Sequence, residues 1–215
     1  MASVQPPVKR RYDASRRREA AARNRAAILD AALRLFTSRG YTATPMTAIA
    51  EQAGVALDTV YASVGRKPEL ARLLIETAIS GTGAAVPAEE RDYVLAIQAA
   101  ADAETKITIY AAAIGRIAAR LAPLVAMVQQ AAPAEPQLAA LWREIAERRA
   151  ANMRRFVAEL ATVATLRVDL DEAADIVWAT NAPELYQLLV GQRGWSPDRY
   201  EHFLADAWHR LLLAG

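Results

Sequence analysis

Apolar side chains recur at helical intervals through most of this chain. Between Arg16 and Arg39, the residues Ile28, Ala32, Leu35 and Phe36 fall at i, i+4, i+7 and i+8, which is one face of a helix. Gly40 stands where a left-handed residue would end that helix. Next, Thr44 is a candidate N-cap and Pro45 suits a first turn. Met46, Ile49, Ala50 and Ala53 then repeat at i, i+3, i+4 and i+7, before Gly54 allows a tight turn. A short helix is predicted over about Ala56–Val64, with Val60 and Val64 stacked, and Gly65 stops it. Lys67 and Pro68 open a further helix whose apolar face is Leu70, Leu73, Leu74 and Ala78. Two short helices joined by a glycine turn, packed on a longer one, make a helix-turn-helix bundle.

The stretch "SGTGAAVPAEE" (Ser80–Glu90) breaks the pattern and marks a connection. Beyond it the spacing stays helical. Tyr93, Ile97 and Ala101 mark one helix. Ile107, Tyr110, Ile114, Ile117 and Leu121 mark another, which Pro123 should end. A long helix is predicted from about Gln137 to Thr165. The next opens near Asp171 and is bent or split at Pro183, because an internal proline removes a backbone bond and clashes with the preceding turn. Ser196 caps a final helix with Pro197 in its first turn. "TLRVDL" is too short for a sheet, so the class is all-α: an N-terminal three-helix helix-turn-helix domain followed by a helical domain. The expected boundaries are a disordered basic arm over 1–15, the helix-turn-helix domain over 16–81 (its motif at about 45–64), and the helical domain over 82–215.

Charge sharpens this division. Residues 1–75 hold 13 Lys+Arg against 6 Asp+Glu, net +7; the remaining residues hold 13 against 18, net −5. A basic module on an acidic body suggests an anion-binding head. There is no cysteine, which excludes disulfides and thiolate chemistry. His202 and His209 are the only histidines, too few for a zinc site on their own. No metal, cofactor or catalytic constellation is expected. The charged N-terminal region lacks a signal segment and no uninterrupted apolar run reaches membrane-spanning length, so a cytoplasmic location without membrane attachment is expected.

Several separately placed features between Ile28 and Leu70 resemble the DNA-binding domain of TetR-family transcriptional repressors. They are "AILDAALRLFTSRGYTATPMTAIAEQAGV", then "DTVY", then "GRKPELARLL". The resemblance implies a homodimeric, nucleoid-associated repressor on a palindromic or pseudo-palindromic duplex, controlled by a small ligand. It implies phosphate-facing roles for Thr47, Thr59, Tyr61 and Lys67, helped by the helix N-terminus near Thr44. Ala56, Leu57, Asp58, Ala62 and Ser63 would face the bases. This segment departs from the commoner family pattern: it has no Arg or Lys for the bidentate contact to guanine. Asp58 either accepts from a cytosine amino group or only caps its own helix near the N-terminus, where the dipole favours a carboxylate. Arg16, Arg17 and Arg18, with Lys9, Arg10, Arg11, Arg23 and Arg25, would add phosphate or minor-groove contacts.

For the body, the candidate effector pocket comprises Tyr110, Ile114, Met127, Trp142, Met153, Phe156 and Trp178, with Arg116 or Asn181 as polar partners. Such residues are equally the makings of a core; as a pocket they favour a hydrophobic or aromatic effector. Tyr186, Leu189, Trp195, Tyr200, Phe203, Trp208 and Leu211 concentrate apolar surface near the C-terminus, either as dimer interface or as monomer core. The competing reading of the whole chain is a non-enzymatic helical interaction protein that uses its basic arm on other anionic partners.

Overall fold

The computed structural model describes residues 9–82 and 84–214, with side chains from Ser15 onward. The described residues form helices α1 (Lys9–Arg39), α2 (Met46–Ala53), α3 (Leu57–Val64), α4 (Lys67–Ser80), α5 (Asp92–Ala99), α6 (Ala103–Ala131), α7 (Pro136–Ala161), α8 (Leu170–Thr180), α9 (Pro183–Tyr186) and α10 (Pro197–Leu212). The chain divides into two compact units, Met1–Ala71 and Arg72–Gly215. The division between the two units falls inside α4.

In the first unit, α1 packs on both α2 and α3. Ile28, Ala32, Leu35 and Phe36 of α1 are buried, as are Met46, Ile49 and Ala50 of α2 and Val60 and Val64 of α3. Gly54 sits at φ 68°, a left-handed conformation that costs glycine little; its N–H closes the end of α2 on Glu51. The helix α1 begins at Lys9, seven residues before the expected start at Arg16. Nothing from Lys9 to Ser15 opposes helix, since the prolines end at Pro7. The rest of the expected arm, residues 1–8, lies outside the described residues.

Thr44 is not a helix cap. The N-cap of α2 is Pro45, with no side-chain cap bond. Thr44 is fully buried instead, and its hydroxyl donates to the carbonyls of Gly40 (2.8 Å) and Leu35 (3.3 Å). It ties the end of α1 to the approach to α2.

In the second unit, Pro123 does not end α6, which runs through it to Ala131. Pro123 itself is exposed, while Leu121, Ala122, Leu124, Val125 and Val128 around it are buried. Burial on both sides outweighs the roughly 3 kcal/mol cost of an interior proline. The helix α6 is apolar and long enough to cross a membrane, with mean hydropathy 1.6 over its most apolar window; 67% of that window is buried inside the protein, the signature of a core helix. Pro183 does split its segment: α8 stops at Thr180 and α9 starts at Pro183, followed by a wide π turn over Gln187–Gln192. Ser196 caps α10 by accepting from the Arg199 N–H at 3.2 Å. Leu166 forms one antiparallel bridge with Leu213, pinning the end of the chain to the α7–α8 connection. The body's core gathers around Tyr110, Phe156, Tyr200, Leu204 and Trp208.

Candidate nucleic-acid interface and internal cavity

The burial of one side of α3 determines what its other side can present. Val60 and Val64 point into the first unit. Asp58 and Ala62 are exposed, Tyr61 is 45% exposed, and Leu57, Thr59 and Ser63 are half-buried. Thr47 and Ala56 are exposed as well, and Lys67 is half-buried. A shallow concavity is lined by Met46, Tyr61, Gly65, Arg66, Lys67 and Pro68, so Tyr61 and Lys67 share one surface. The Lys67 ammonium lies 4.2 Å from the centre of the Tyr41 ring. That contact orients a long flexible side chain while leaving its charge near the surface.

Two residues, Thr44 and Arg25, take places other than those expected from sequence, and one of the two readings of Asp58 finds no hydrogen bond to support it. Thr44, being buried, has no face to offer a duplex. Asp58 does not cap α3: the N-cap is Ala56, and no side-chain cap bond is made there. Its carboxylate has only the favourable field of the first turn and is otherwise open on the surface. Arg25 donates through Nη1 to the Ser63 carbonyl at 2.5 Å. It therefore satisfies a terminal carbonyl of α3 and places a cation at the helix's negative end. Arg16, Arg17 and Arg18 are exposed on the first turns after Ser15.

The body contains two adjoining lobes. The smaller, of about 60 Å³, is lined by Tyr110, Ile114, Met153 and Asn181, with Arg91, Arg148 and Arg149 also in its wall. The larger, of about 410 Å³, is lined mainly by Tyr93, Val94, Ile97, Tyr110 and Phe156. Tyr93, Tyr110 and Asn152 belong to both. Of the residues expected to form a pocket, Tyr110, Ile114, Met153, Phe156 and Asn181 are thus brought together. The others are not in either wall. Arg116 is exposed over a separate groove beside Gly81 and Thr82. Met127 is buried farther along α6, Trp142 is half-buried on α7, and Trp178 is 38% exposed. Helical spacing groups residues by face, and these four lie on faces or turns that do not line the two lobes.

Tyr110 is the hub. Its ring lies 4.1 Å from that of Phe156, 5.2 Å from Trp208 and 6.1 Å from Tyr93, centre to centre. Its hydroxyl donates to Met153 Sδ at 3.0 Å and accepts from Asn181 Nδ2 at 3.3 Å. Burial pushes this phenol well above its ordinary pKa, so it stays a neutral donor. Asn181 Oδ1 in turn accepts from Arg149 Nη2 at 2.6 Å, and the same nitrogen reaches the Trp178 carbonyl at 3.2 Å. Burial lowers the Arg149 pKa from the ordinary arginine value, but a guanidinium keeps its proton in proteins.

Arg149 escaped the sequence reading, although a signal for it exists. It falls between Ile145 and Met153 at steps of four, the one charge in the apolar stripe of α7. Lys106 is its counterpart on α6. It is 1% exposed, donates to the Ile97 carbonyl at 2.6 Å and pairs with Glu159 at 2.9 Å on the rim of the large lobe.

The expected dimer face separates into two groups. Tyr200 and Trp208 are fully buried in the monomer core, with Trp208 Nε1 donating to Thr180 Oγ1 at 2.7 Å. Phe203 and Leu211 remain 36% and 44% exposed, as does Leu188 at 49%. Trp195 packs edge-on to Phe203 at 5.5 Å, and Tyr186 and Leu189 are half-buried. An apolar surface therefore survives on α10 and the π turn after the core has taken its share.

A family model described as "Bacterial regulatory proteins, tetR family" matches residues 28–73. No curated protein sequence matches the chain. Solved structures with the same fold include a TetR-family transcriptional regulator of Mesorhizobium loti, 22% identical, with TM-score 0.65, covering 90% of this chain and 98% of its own. The FadR regulator of Bacillus subtilis, solved with stearoyl-CoA, is 18% identical with TM-score 0.66, covering 85% and 96%. A regulator from Saccharomonospora viridis, solved with choline, is 19% identical with TM-score 0.64, covering 89% and 98%.

Proposed function

We propose that the chain is a DNA-binding regulator of the TetR family, whose family model its residues 28–73 match, and that it acts as a homodimeric repressor in the bacterial cytoplasm, released from its operator by a small molecule held in the body. The observation that carries the DNA side is the exposed face of hydroxyl and aromatic groups around α3. Thr47, Thr59 and Tyr61 donate to phosphate oxygens there, and Lys67 adds a point charge. Asp58, Ala62 and Ser63 face base edges, with Ala56 and Leu57 at the start of the same helix. Asp58, uncapped and exposed, accepts from a cytosine amino group. Arg16, Arg17 and Arg18 extend the phosphate grip along the duplex. A twofold dimer requires half-sites one helical turn apart, about 34 Å, or a multiple of it, and hence a pseudo-palindromic operator.

Control passes through α7 and α4. The helix α7 carries Arg149, Met153 and Phe156 in the cavity walls. It also carries Glu144, which meets Arg72 of α4 in a two-pronged pair at 2.5 and 2.6 Å, and Arg148, which meets Glu76 of α4 at 2.6 Å. The Arg72 hydrogen bond holds the Glu144 carboxyl below its ordinary pKa. A ligand that binds one position of α7 better than another biases α4, whose first turn belongs to the DNA-binding unit. The match of residues 28–73 to the family model supports a regulator rather than an enzyme.

Selection of duplexes from a random library, followed by titration of variants, tests this reading. Tyr61→Phe and Thr47→Val are each expected to weaken dimer binding to all sequences by about 25-fold, since each removes two hydrogen bonds worth about fivefold apiece. Asp58→Ala is expected to relax preference at one base pair of each half-site. A library without an enriched symmetric site, or three folded variants that bind as wild type does, would overturn it.

A further inference from the structure

We propose that the molecule sensed in the cavity is a hydrophobic carboxylate, its acid group received by Arg149 in the small lobe and its apolar body lodged in the large one. This rests on the reading of the cavity as the effector site and adds the chemistry of what enters it. The first support is an imbalance of charge. The wall of the small lobe contains three arginines, Arg91, Arg148 and Arg149, and no Asp or Glu. Arg148 has an acid partner in Glu76. Arg91 spends Nε and Nη2 on the Val86 carbonyl at 3.2 and 3.1 Å. Arg149 meets only neutral acceptors, Asn181 Oδ1 and the Trp178 carbonyl, both through Nη2. Among the described residues no carboxylate lies within ion-pair distance of Arg149 or Arg91. Glu184 acts on Arg149 only from beyond that distance. A half-buried guanidinium with no carboxylate in contact is costly, and an entering anion reduces that cost.

The second support is shape. The small lobe, at about 60 Å³, has room for a few water molecules, and so for a carboxylate. The large lobe, at about 410 Å³, falls within the usual range for ligand sites. Tyr93, Val94, Ile97 and Phe156 give it an apolar wall. The divider shared by the lobes contains Tyr93 and Asn152, both only half-buried, so it can turn aside for a molecule that reaches across.

The opposite sign of ligand is disfavoured by the same walls. The Tyr93, Tyr110 and Phe156 rings could face a quaternary ammonium. Across both lobes, however, four arginines stand against two glutamates, Glu89 and Glu159, and Glu159 is already paired with the buried Lys106.

Calorimetry on the full-length protein without DNA decides the matter. The probes are decanoate and 2-naphthoate, each against its corresponding alcohol, together with decyltrimethylammonium. The acids are expected to bind at least about tenfold tighter than the alcohols, the yield of a charged hydrogen bond. Arg149→Gln is expected to abolish that preference while the alcohols bind as before. Acids that bind no better than their alcohols, tightest binding by the ammonium, or a preference that survives in Arg149→Gln would overturn the proposal. Should Arg149→Gln not fold, the acid-to-alcohol ratio of the wild type is itself decisive. Because DNA is absent, failure here falls on the ligand chemistry alone. A bound acid that leaves the selected operator occupied counts against the sensor reading instead.

Discussion

Replacing Arg25 by methionine separates two roles that one arginine can play. The methionine keeps an apolar stem of similar length and removes the donors and the charge. In the structure Arg25 Nη1 holds the Ser63 carbonyl, one of the last carbonyls of α3, which have no partner within the helix. A hydrogen bond from a charged donor contributes about 1.5–3 kcal/mol and a cation at a helix C-terminus about 0.3–1 kcal/mol. Arg25 is only half-buried, so solvent screening brings the expected loss to about 1–2 kcal/mol. For a unit of this size each kcal/mol moves the melting midpoint by about 4–8 °C. The first unit should therefore melt about 5–15 °C lower, read by circular dichroism. A phosphate contact would show differently. Two copies in a dimer would contribute about 1.8 to the slope of log affinity against log salt. The slope should be unchanged in Arg25→Met, with a modest loss of affinity for every sequence as α3 loosens. An unchanged midpoint with a slope shallower by about 1.8 would refute the capping role and restore Arg25 to the phosphate-binding arm.

Two further outcomes follow from the body. Tyr200 is fully buried, and its hydroxyl has no hydrogen-bond partner among the described residues; Tyr200→Phe removes a desolvated polar atom and should raise stability by about 1 kcal/mol, or about 2–4 °C in a thermal melt, whereas a lower midpoint would mean that the hydroxyl is satisfied in the assembled protein. Phe203 and Leu211 are the apolar residues of α10 left exposed; Phe203→Glu with Leu211→Glu should convert a dimer to a folded monomer by light scattering at micromolar concentration, and a persistent dimer would place the interface elsewhere.

The helix-turn-helix bundle was legible because α1, α2 and α3 are each ended by a glycine. Gly40, Gly54 and Gly65 all adopt positive φ, so the punctuation seen in sequence is the punctuation of the fold. Proline proved the less dependable sign. Pro183 splits its segment and Pro123 does not, because the cost of an interior proline is fixed near 3 kcal/mol while the burial that opposes it varies with position. Side-chain roles were less legible than helices. Thr44 has the right type and place for a cap, yet a nearby pair of carbonyls at the end of α1 claims its hydroxyl. Local sequence carries no record of that competition.

The helix α10 shows where periodicity stops informing and what replaces it. Tyr200, Leu204, Trp208 and Leu212 form one stripe at steps of four and are fully buried. Phe203 and Leu211 form a second stripe, offset by one residue, and are exposed. One residue is about 100° of rotation, so an aromatic-rich helix can supply a core and an outward face together. Composition alone merges the two, which is why Tyr200 and Trp208 were expected at the interface. Resolving the stripes separates them, and the same resolution applied to α7 isolates Arg149 between Ile145 and Met153. An apolar residue on a buried stripe needs no further explanation than packing. A charge on that stripe does, because it must be paired, and its partner is then either in the chain, as Glu159 is for Lys106, or brought in by a ligand, as we infer for Arg149.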